Sequence, residues 1–390
     1  MDFVCFSVNN WEKRRARKQQ FMLHLSLRSD VGRVLYIEPA LNIFRSLFFF
    51  WREAGTSEGR DRRARAWVGR IDPVPDSPRL FVYTPLSFFP WSFRFPVLYT
   101  WNLWLIHFFL KRRLRRLNLG GTVLWLYHPF DVPLLDWFKP RIASCFDWAE
   151  KWSEYFLEYQ GARQKVIAAL EESIIRRSDF IFVTSQRLLG LARSINPRAQ
   201  LLRDGTVPEI FSSFNGSVPE DLKNVPRPII GYVGTVNDRI DIALVKTLSL
   251  EMSSCSFVFV GNVLADRVDV ASLSSLKNVY FLGVKPYGSL PGYTTNFDVC
   301  ILPYVLDPRI ATATKIYDYL AAGKPIVAPA LPELEYLREC VVLARTREEF
   351  VAAVQKSLEG LCPEVSARHR QVAGENSWAT RAAEIMRFLS

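Results

Sequence analysis

TATKIYDYLAAGKPIVAP, residues 312–329, joins a polar loop, a short helix, a glycine stop and a buried strand. Thr312 or Thr314 can cap the helix, and Ile316, Tyr317 and Leu320 supply its apolar face. Gly323 followed by Lys324-Pro325 ends it where a left-handed residue is needed. Ile326-Val327 then starts a strand. The first amides of such a helix carry partial positive charge, and Lys315 adds a full one, so the turn suits an anion. Asp318, one turn further, is placed to accept hydrogen bonds from sugar hydroxyls. Phosphate, sugar and acid in one short span point to a nucleotide-sugar site. The plainer alternative is an ordinary helix with Lys315 and Asp318 on a solvated face.

Working outward from that helix, the second half holds four short apolar runs that end in Gly or Pro: PIIGYVG (228–234), FVFVG (257–261), NVYFLG (278–283) and DVCILP (298–303). Segments of helix length separate them. The pattern predicts a parallel sheet with its ligand at the carboxyl ends of the strands. The first half repeats the rhythm. Strands are expected at Asp2–Val8, Arg33–Ile37, Leu80–Thr84, Thr122–Tyr127, Ile142–Phe146, Phe180–Thr184 and Gln200–Arg203, with helices at Lys13–Ser29 and Gly161–Arg177. Glu53–Gly69, rich in Gly, Arg and Glu, is expected as a mobile loop or a lipid-facing insertion.

The chain has 390 residues, 49% of them hydrophobic, which is too long for one ordinary core and suits two. Its six cysteines are scattered, form no Cys-x-x-Cys pair, and read as reduced core residues of a cytoplasmic protein. The opening MDFVCFSVNN has no basic stretch before it and reads as a first strand rather than a signal peptide.

The net charge of +11 is concentrated toward the start, where basic residues outnumber acidic ones roughly two to one in the first third. Two stretches there mix aromatics with arginine: Leu47–Arg52, leading to Arg60–Arg70, and Leu98–Leu110, leading to the basic run 111–116. The second is apolar for roughly thirteen positions, short of the ~20 that cross a bilayer. As a helix lying in the headgroup layer, with Trp101, Trp104 and Phe108 in lipid, it fits an anionic membrane surface. The alternative is a buried helix with a solvated basic end. Nucleic acid is not expected as a partner, since no recognition motif accompanies the charge.

The ordered set GYVGT, FVFVGN, NVYFLGVKPYGSLPGY, FDVCILPY and TKIYDYLAAGKPIVAP is similar to the donor domain of GT-B glycosyltransferases, close to glycosyltransferase family 4. It most resembles the bacterial branch that builds exopolysaccharide and teichuronic-acid-type polymers. Trp11 with its basic neighbours, VLYIEP (34–39), WLYH (125–128) and LLRDGT (201–206) extend the likeness through most of the chain. The resemblance implies an α/β fold of two facing Rossmann-like domains with a cleft between them. Residues 1–215 would bind acceptor, 216–227 would link, and 228–375 would bind a nucleotide-sugar donor. Residues 376–390 would form a helix crossing back onto the first domain.

The same resemblance implies a reaction centre. His128 ends its strand where related enzymes place a histidine facing the transferred sugar; the alternative is a turn-capping histidine before Pro129. Asp147 is a general-base candidate if transfer inverts the anomeric centre, or else the N-cap of the following helix. On the donor side, Gly231, Gly234 and Thr235 would let backbone approach a diphosphate, with Gly261 and Asn262 closing the next strand. Asn237, Asp238 and Asp241 follow as substrate contacts or as the start of a helix near Asp238. Tyr287, in a loop resembling the part of the family around the nucleotide base, and Tyr304 border the same region.

Two departures stand out. Retaining members carry two glutamates eight positions apart; here Ile310 takes the first place and Asp318 the second, with Asp307 the nearest upstream acid. No Asp-x-Asp triplet is present, so no metal is expected, and no cofactor beyond a nucleoside diphosphate sugar as substrate. The expectation is therefore a glycosyltransferase at the cytoplasmic face of the membrane acting on a lipid-linked or polysaccharide acceptor. A nucleotide-sugar epimerase of the same fold and a non-catalytic scaffold are the alternatives.

Overall fold

The computed structural model describes residues 1–11, 16–44, 57–89, 95–114, 117, 119–139, 141–155, 161–307, 309–310 and 314–390. Lys13, the run Leu47–Arg52 and Thr312 lie outside them. The chain divides into two compact units, Met1–Arg203 with Ala382–Ser390, and Asp204–Arg381.

The first unit is built on strands β1 (Asp2–Phe6), β2 (Val34–Ile37), β4 (Ile71–Val74), β5 (Ser77–Tyr83), β7 (Thr122–Leu126), β8 (Ala143–Trp148), β9 (Phe180–Val183) and β10 (Ala199–Leu201). A small pair, β3 (Leu41–Asn42) and β6 (Leu86–Ser87), lies apart. The main sheet runs β10-β9-β8-β7-β1-β2-β5-β4, parallel except for the β4–β5 hairpin. Strands β1, β2, β7 and β8 are buried at every position, as a parallel sheet covered on both faces requires. Strand order reverses between β1 and β7, and the crevice outside their carboxyl ends is where such sheets take ligands. The late segment Ala382–Ser390 belongs to this unit; its Phe388 ring stands 5.9 Å from Phe182, which stacks on Trp125 at 5.2 Å.

The expected loop at 53–69 is corrected: Ser57–Val68 is a helix. Its arginines do not face lipid as a group. Arg62 and Arg65 reach the buried Glu38 carboxylate at the end of β2, at 3.3 and 3.7 Å, and Arg65 also approaches Asp72. Glu38 additionally accepts from the Trp11 amide (2.7 Å) and the Thr84 hydroxyl (2.5 Å). One carboxylate thus fastens the helix, the loop after β1 and the end of β5 together, a pairing invisible in a local charge pattern.

The Pro96–Leu114 helix buries Asn102, Leu103, Ile106 and Leu110 and leaves Val97, Trp101, Trp104, Phe108 and Phe109 exposed. Asn102 fixes it in place, its side-chain oxygen accepting from the Phe88 and Phe89 amides at 2.9 Å each. Among the described residues no helix is long and apolar enough to cross a membrane.

The second unit carries β11 (Ile229–Val233), β12 (Ser256–Val260), β13 (Val279–Gly283), β14 (Val299–Ile301), β15 (Ile326–Pro329) and β16 (Val342–Ala344) in the order β13-β12-β11-β14-β15-β16, all parallel. Its reversal point lies between β11 and β14. The stretch 216–227, expected as a linker, packs on this unit: Leu222 and Val225 are in its core, and the change of unit falls instead at Asp204. Of the six cysteines five are buried; Cys362 is exposed, ahead of the Pro363–Glu375 helix, which corrects its assignment to the core.

Candidate functional site

In the second unit, β11 runs into Gly234 at φ +142°, and β12 into Gly261 at φ +151°. A Cβ on Gly261 would lie 2.0 Å from the Gly234 carbonyl oxygen, so the two turns touch backbone to backbone. A Cβ on Gly234 would lie 2.5 Å from Lys315 Cε and 2.7 Å from its Nζ. The lysine therefore lies across the glycine turn at the reversal point of the sheet. Gly231 differs from its expected role: a Cβ there would strike the Phe297 ring at 2.0 Å, so core packing, not ligand approach, demands that glycine.

Lys315 begins a seven-residue helix, Lys315–Ala321, which Gly323 (φ +66°) closes as the sequence predicts. Thr314 does not cap it; its hydroxyl donates to Asp204 Oδ2 at 2.7 Å. The ammonium donates to Tyr304 Oη at 2.5 Å and Tyr232 Oη at 3.1 Å, with the two ring centroids 5.2 and 4.8 Å away. Tyr232 donates onward to the Thr235 carbonyl at 3.0 Å. Asn262 is exposed, and its carbonyl accepts from the Val236 amide.

Asp318 is buried on the next turn, where its Oδ1 accepts from Thr206 Oγ1 at 2.6 Å and Tyr287 Oη at 3.3 Å. Burial pushes its carboxyl up to about 6, against the opposing pull of those two hydroxyls and of Lys315. Since the native state then holds a proton that the unfolded chain releases, this group's contribution to stability falls as pH rises between the ordinary aspartate value and about 6. Asp318→Asn keeps the acceptor atom and removes the slope. Urea unfolding at about pH 4 and about pH 7 should show the variant gaining on wild type at the higher pH; parallel curves would contradict the burial effect.

Ile310, at the place of the first family glutamate, is packed into the core, and Asp307 is ion-paired with Arg309 at 2.5 Å. Asp241, rather than Asp238, caps the following helix, Ile242–Glu251: it accepts from the Leu244 amide and pairs with Arg347. Among the described residues no group of three or more His, Cys, Asp or Glu is placed to hold a metal ion.

In the first unit, His128 stands at the carboxyl end of β7, at the reversal point. It is buried, and its Nδ1 accepts from the Phe130 amide at 3.2 Å, capping the 3-10 turn Pro129–Asp131. Burial, with Lys18 in support, pushes the imidazole down to about 3, so the ring is neutral with its proton on Nε2. Tyr99 stacks on it at 5.6 Å and Trp152 meets it edge-on at 4.4 Å. Asp131, not singled out from sequence, accepts from Tyr99 Oη at 2.8 Å, and burial pushes it up to about 7. The His-x-x-Asp spacing after a strand was the available signal.

Asp147 is gripped by Arg17, whose Nε lies 3.1 and 3.0 Å from the two carboxylate oxygens and whose Nη2 lies 2.9 Å from Oδ1. Nor does it cap the helix at Trp152–Tyr155. Glu171 does, accepting from the amides of Trp152 (2.6 Å) and Ser153 (3.1 Å) and from Trp148 Nε1. The sequence showed no link between Arg17 and Asp147, which lie 130 positions apart.

Two doubly wound parallel units, with a late segment returning to the first, make the GT-B fold, and the chain is a glycosyltransferase. Residues 227–360 match the family described as Glycosyl transferases group 1. The chain is 26% identical over 289 residues, 68% of its length, to 71% of the "Putative teichuronic acid biosynthesis glycosyltransferase TuaH" of Bacillus subtilis (strain 168). Among solved structures it is similar to the sucrose-phosphate synthase of Thermosynechococcus elongatus (TM-score 0.70, 15% identity, 99% of this chain and 97% of that one). It is also similar to Anabaena HepE in complex with UDP (0.66, 11%, 100% and 99%). A third is the E. coli trehalose-6-phosphate structure bound with UDP-2-fluoro glucose (0.67, 12%, 100% and 99%). At these identities the structural likeness establishes the fold.

Proposed function

We propose that this enzyme moves a sugar from a nucleoside diphosphate sugar to a lipid-linked or polysaccharide acceptor during cell-surface polysaccharide synthesis, at the inner face of the membrane. The observation that carries the donor side is Lys315 lying across the Gly234 turn at the reversal point of the second sheet. A glycine turn admits a diphosphate close to backbone, and the ammonium meets the charge that develops on the leaving group. Thr235, Gly261, Asn262, Tyr287 and Asp318 belong to the turns and network around it. His128, a neutral donor at the corresponding point of the first sheet, orients the sugar or acceptor. The UDP and UDP-sugar in the solved neighbours and the polymer named for the Bacillus subtilis relative support donor class and pathway. The diphosphate is held without a metal bridge, as the missing Asp-x-Asp triplet suggests, and the nucleoside diphosphate sugar enters as substrate rather than cofactor.

Purified protein incubated with radiolabelled nucleotide sugars and membrane lipid extract separates the possibilities. Label passing into lipid supports transfer. An altered free sugar supports an epimerase, and no change at all leaves a scaffold.

The membrane surface is supported by the exposed stripe Val97, Trp101, Trp104 and Phe108, spaced along one face of a helix whose far end bears exposed Lys111 and Arg112. Arg113 is engaged elsewhere, donating to the Gly69 carbonyl at 2.9 Å and covering Tyr83 at 5.4 Å. Arg115 and Arg116 lie outside the described residues. Each basic residue near an anionic surface contributes about 1 kcal/mol, so Lys111→Glu with Arg112→Glu should lower partition onto phosphatidylserine vesicles more than about tenfold. Undiminished sedimentation with the vesicles would remove the membrane from the proposal.

A further inference from the structure

We infer that Tyr232 and Tyr304 are positioning residues that hold the Lys315 ammonium over the Gly234 turn, ready for the diphosphate of the donor. The inference rests on the donor seat proposed above and adds to it a device that the sequence pattern did not contain.

Both phenols are buried, 1% and 5% exposed. Tyr232 projects from β11, its hydroxyl fixed by donating to the Thr235 carbonyl, so its lone pair faces the lysine. Tyr304 follows β14 and is locked by an antiparallel bridge to Ile240, which places its ring edge-on to Tyr232 with centroids 6.4 Å apart. A long, flexible lysine side chain is entropically expensive to hold in one rotamer. Two phenol oxygens accepting from one ammonium reduce that loss before any ligand arrives. The backbone at Gly234 keeps the remaining side of the ammonium within reach of the turn.

The arrangement has a chemical signature. Burial pushes the Tyr304 phenol up, but the charge and hydrogen bond of Lys315, the neighbouring Tyr232 hydroxyl and Arg239 outweigh it and bring the group below the ordinary tyrosine value. Tyr232 moves the opposite way, raised by burial and by Tyr304 and Tyr319. The charged and titratable groups around Tyr304 are thus Lys315 and Tyr319 from the helix, Tyr232 from β11 and Arg239 from the loop; Asp241 on that loop is turned to Leu244 and Arg347. Loss of the Tyr304 proton places a phenolate against the ammonium and sets it in competition with an incoming phosphate. Diphosphate affinity should therefore fall as pH rises through the Tyr304 ionisation.

Calorimetry with UDP, and with inorganic pyrophosphate to remove dependence on the base, tests this on the full chain with wild type, Tyr304→Phe, Tyr232→Phe and Lys315→Ala. Each Tyr→Phe variant should bind about three- to tenfold more weakly at neutral pH, the effect of one hydrogen bond. In Tyr304→Phe the alkaline fall in affinity should move to higher pH, and the earliest phenolate step in the ultraviolet absorbance should disappear. The loss of that absorbance step identifies the Tyr304 ionisation, and a merely structural tyrosine would leave the pH dependence of affinity where it is in wild type. Weak binding by Lys315→Ala together with unchanged affinity and pH profile in Tyr304→Phe overturns the clamp alone. Unchanged binding by Lys315→Ala overturns the seat and the clamp together.

Discussion

Lys315→Ala is expected to weaken UDP binding by roughly thirty- to a thousandfold, the equivalent of about 2–4 kcal/mol for removing a charged partner from a buried anion contact. The loss should be this large because the lysine stands at the one place where the second sheet reverses and two glycine turns touch. Its removal also leaves two phenols facing an anion with no cation between them. Stability should change little, since Lys315 is only half-buried and makes no ion pair with a carboxylate among the described residues. The measurement is calorimetric titration beside a urea melt. A variant that stays folded and binds UDP as wild type does would remove the seat from this lysine.

The second large effect concerns the first unit. Asp147→Ala should destabilise the protein by about 3–5 kcal/mol, because it strands the Arg17 guanidinium in a site where both partners are buried. Arg17→Ala should do the same from the other side. Replacing both at once by residues of similar size, Arg17→Met with Asp147→Leu, should recover most of the loss, since the uncompensated charge is then gone. Urea unfolding of the three variants decides. If Asp147→Ala instead melts like wild type while losing turnover, the carboxylate serves chemistry and the ion pair is incidental.

Much of the architecture was legible because parallel strands buried on both faces leave continuous apolar runs. PIIGYVG, FVFVG and DVCILP became buried strands of the second sheet, and NVYFLG its half-buried edge strand. The Gly323 stop was equally plain, since only a glycine readily takes the left-handed turn there. What the sequence hid was pairing across distance. Arg62 and Arg65 read as a charged loop because Glu38, their partner, lies far upstream. Asp147 read as a base or a cap because neither Arg17 nor Glu171 is near it in the chain. Gly231 read as a ligand-facing residue because the ring that excludes a side chain there, Phe297, comes much later. At the candidate donor seat, Lys315 and Asp318 were visible as residues, but their surroundings were not. The phenol cage of one and the burial of the other belong to the tertiary structure.

The return of Ala382–Ser390 to the first unit bears on how the protein is made. Domains emerging from a ribosome generally fold in order of synthesis. Here the earlier unit stays unfinished until the whole of the later one has been translated, because Phe388 has yet to arrive beside Phe182. Completion of the amino-terminal half thus waits on the synthesis of the half that follows it, and a nascent chain paused before Ala382 leaves Phe182 without the ring that neighbours it in the finished fold.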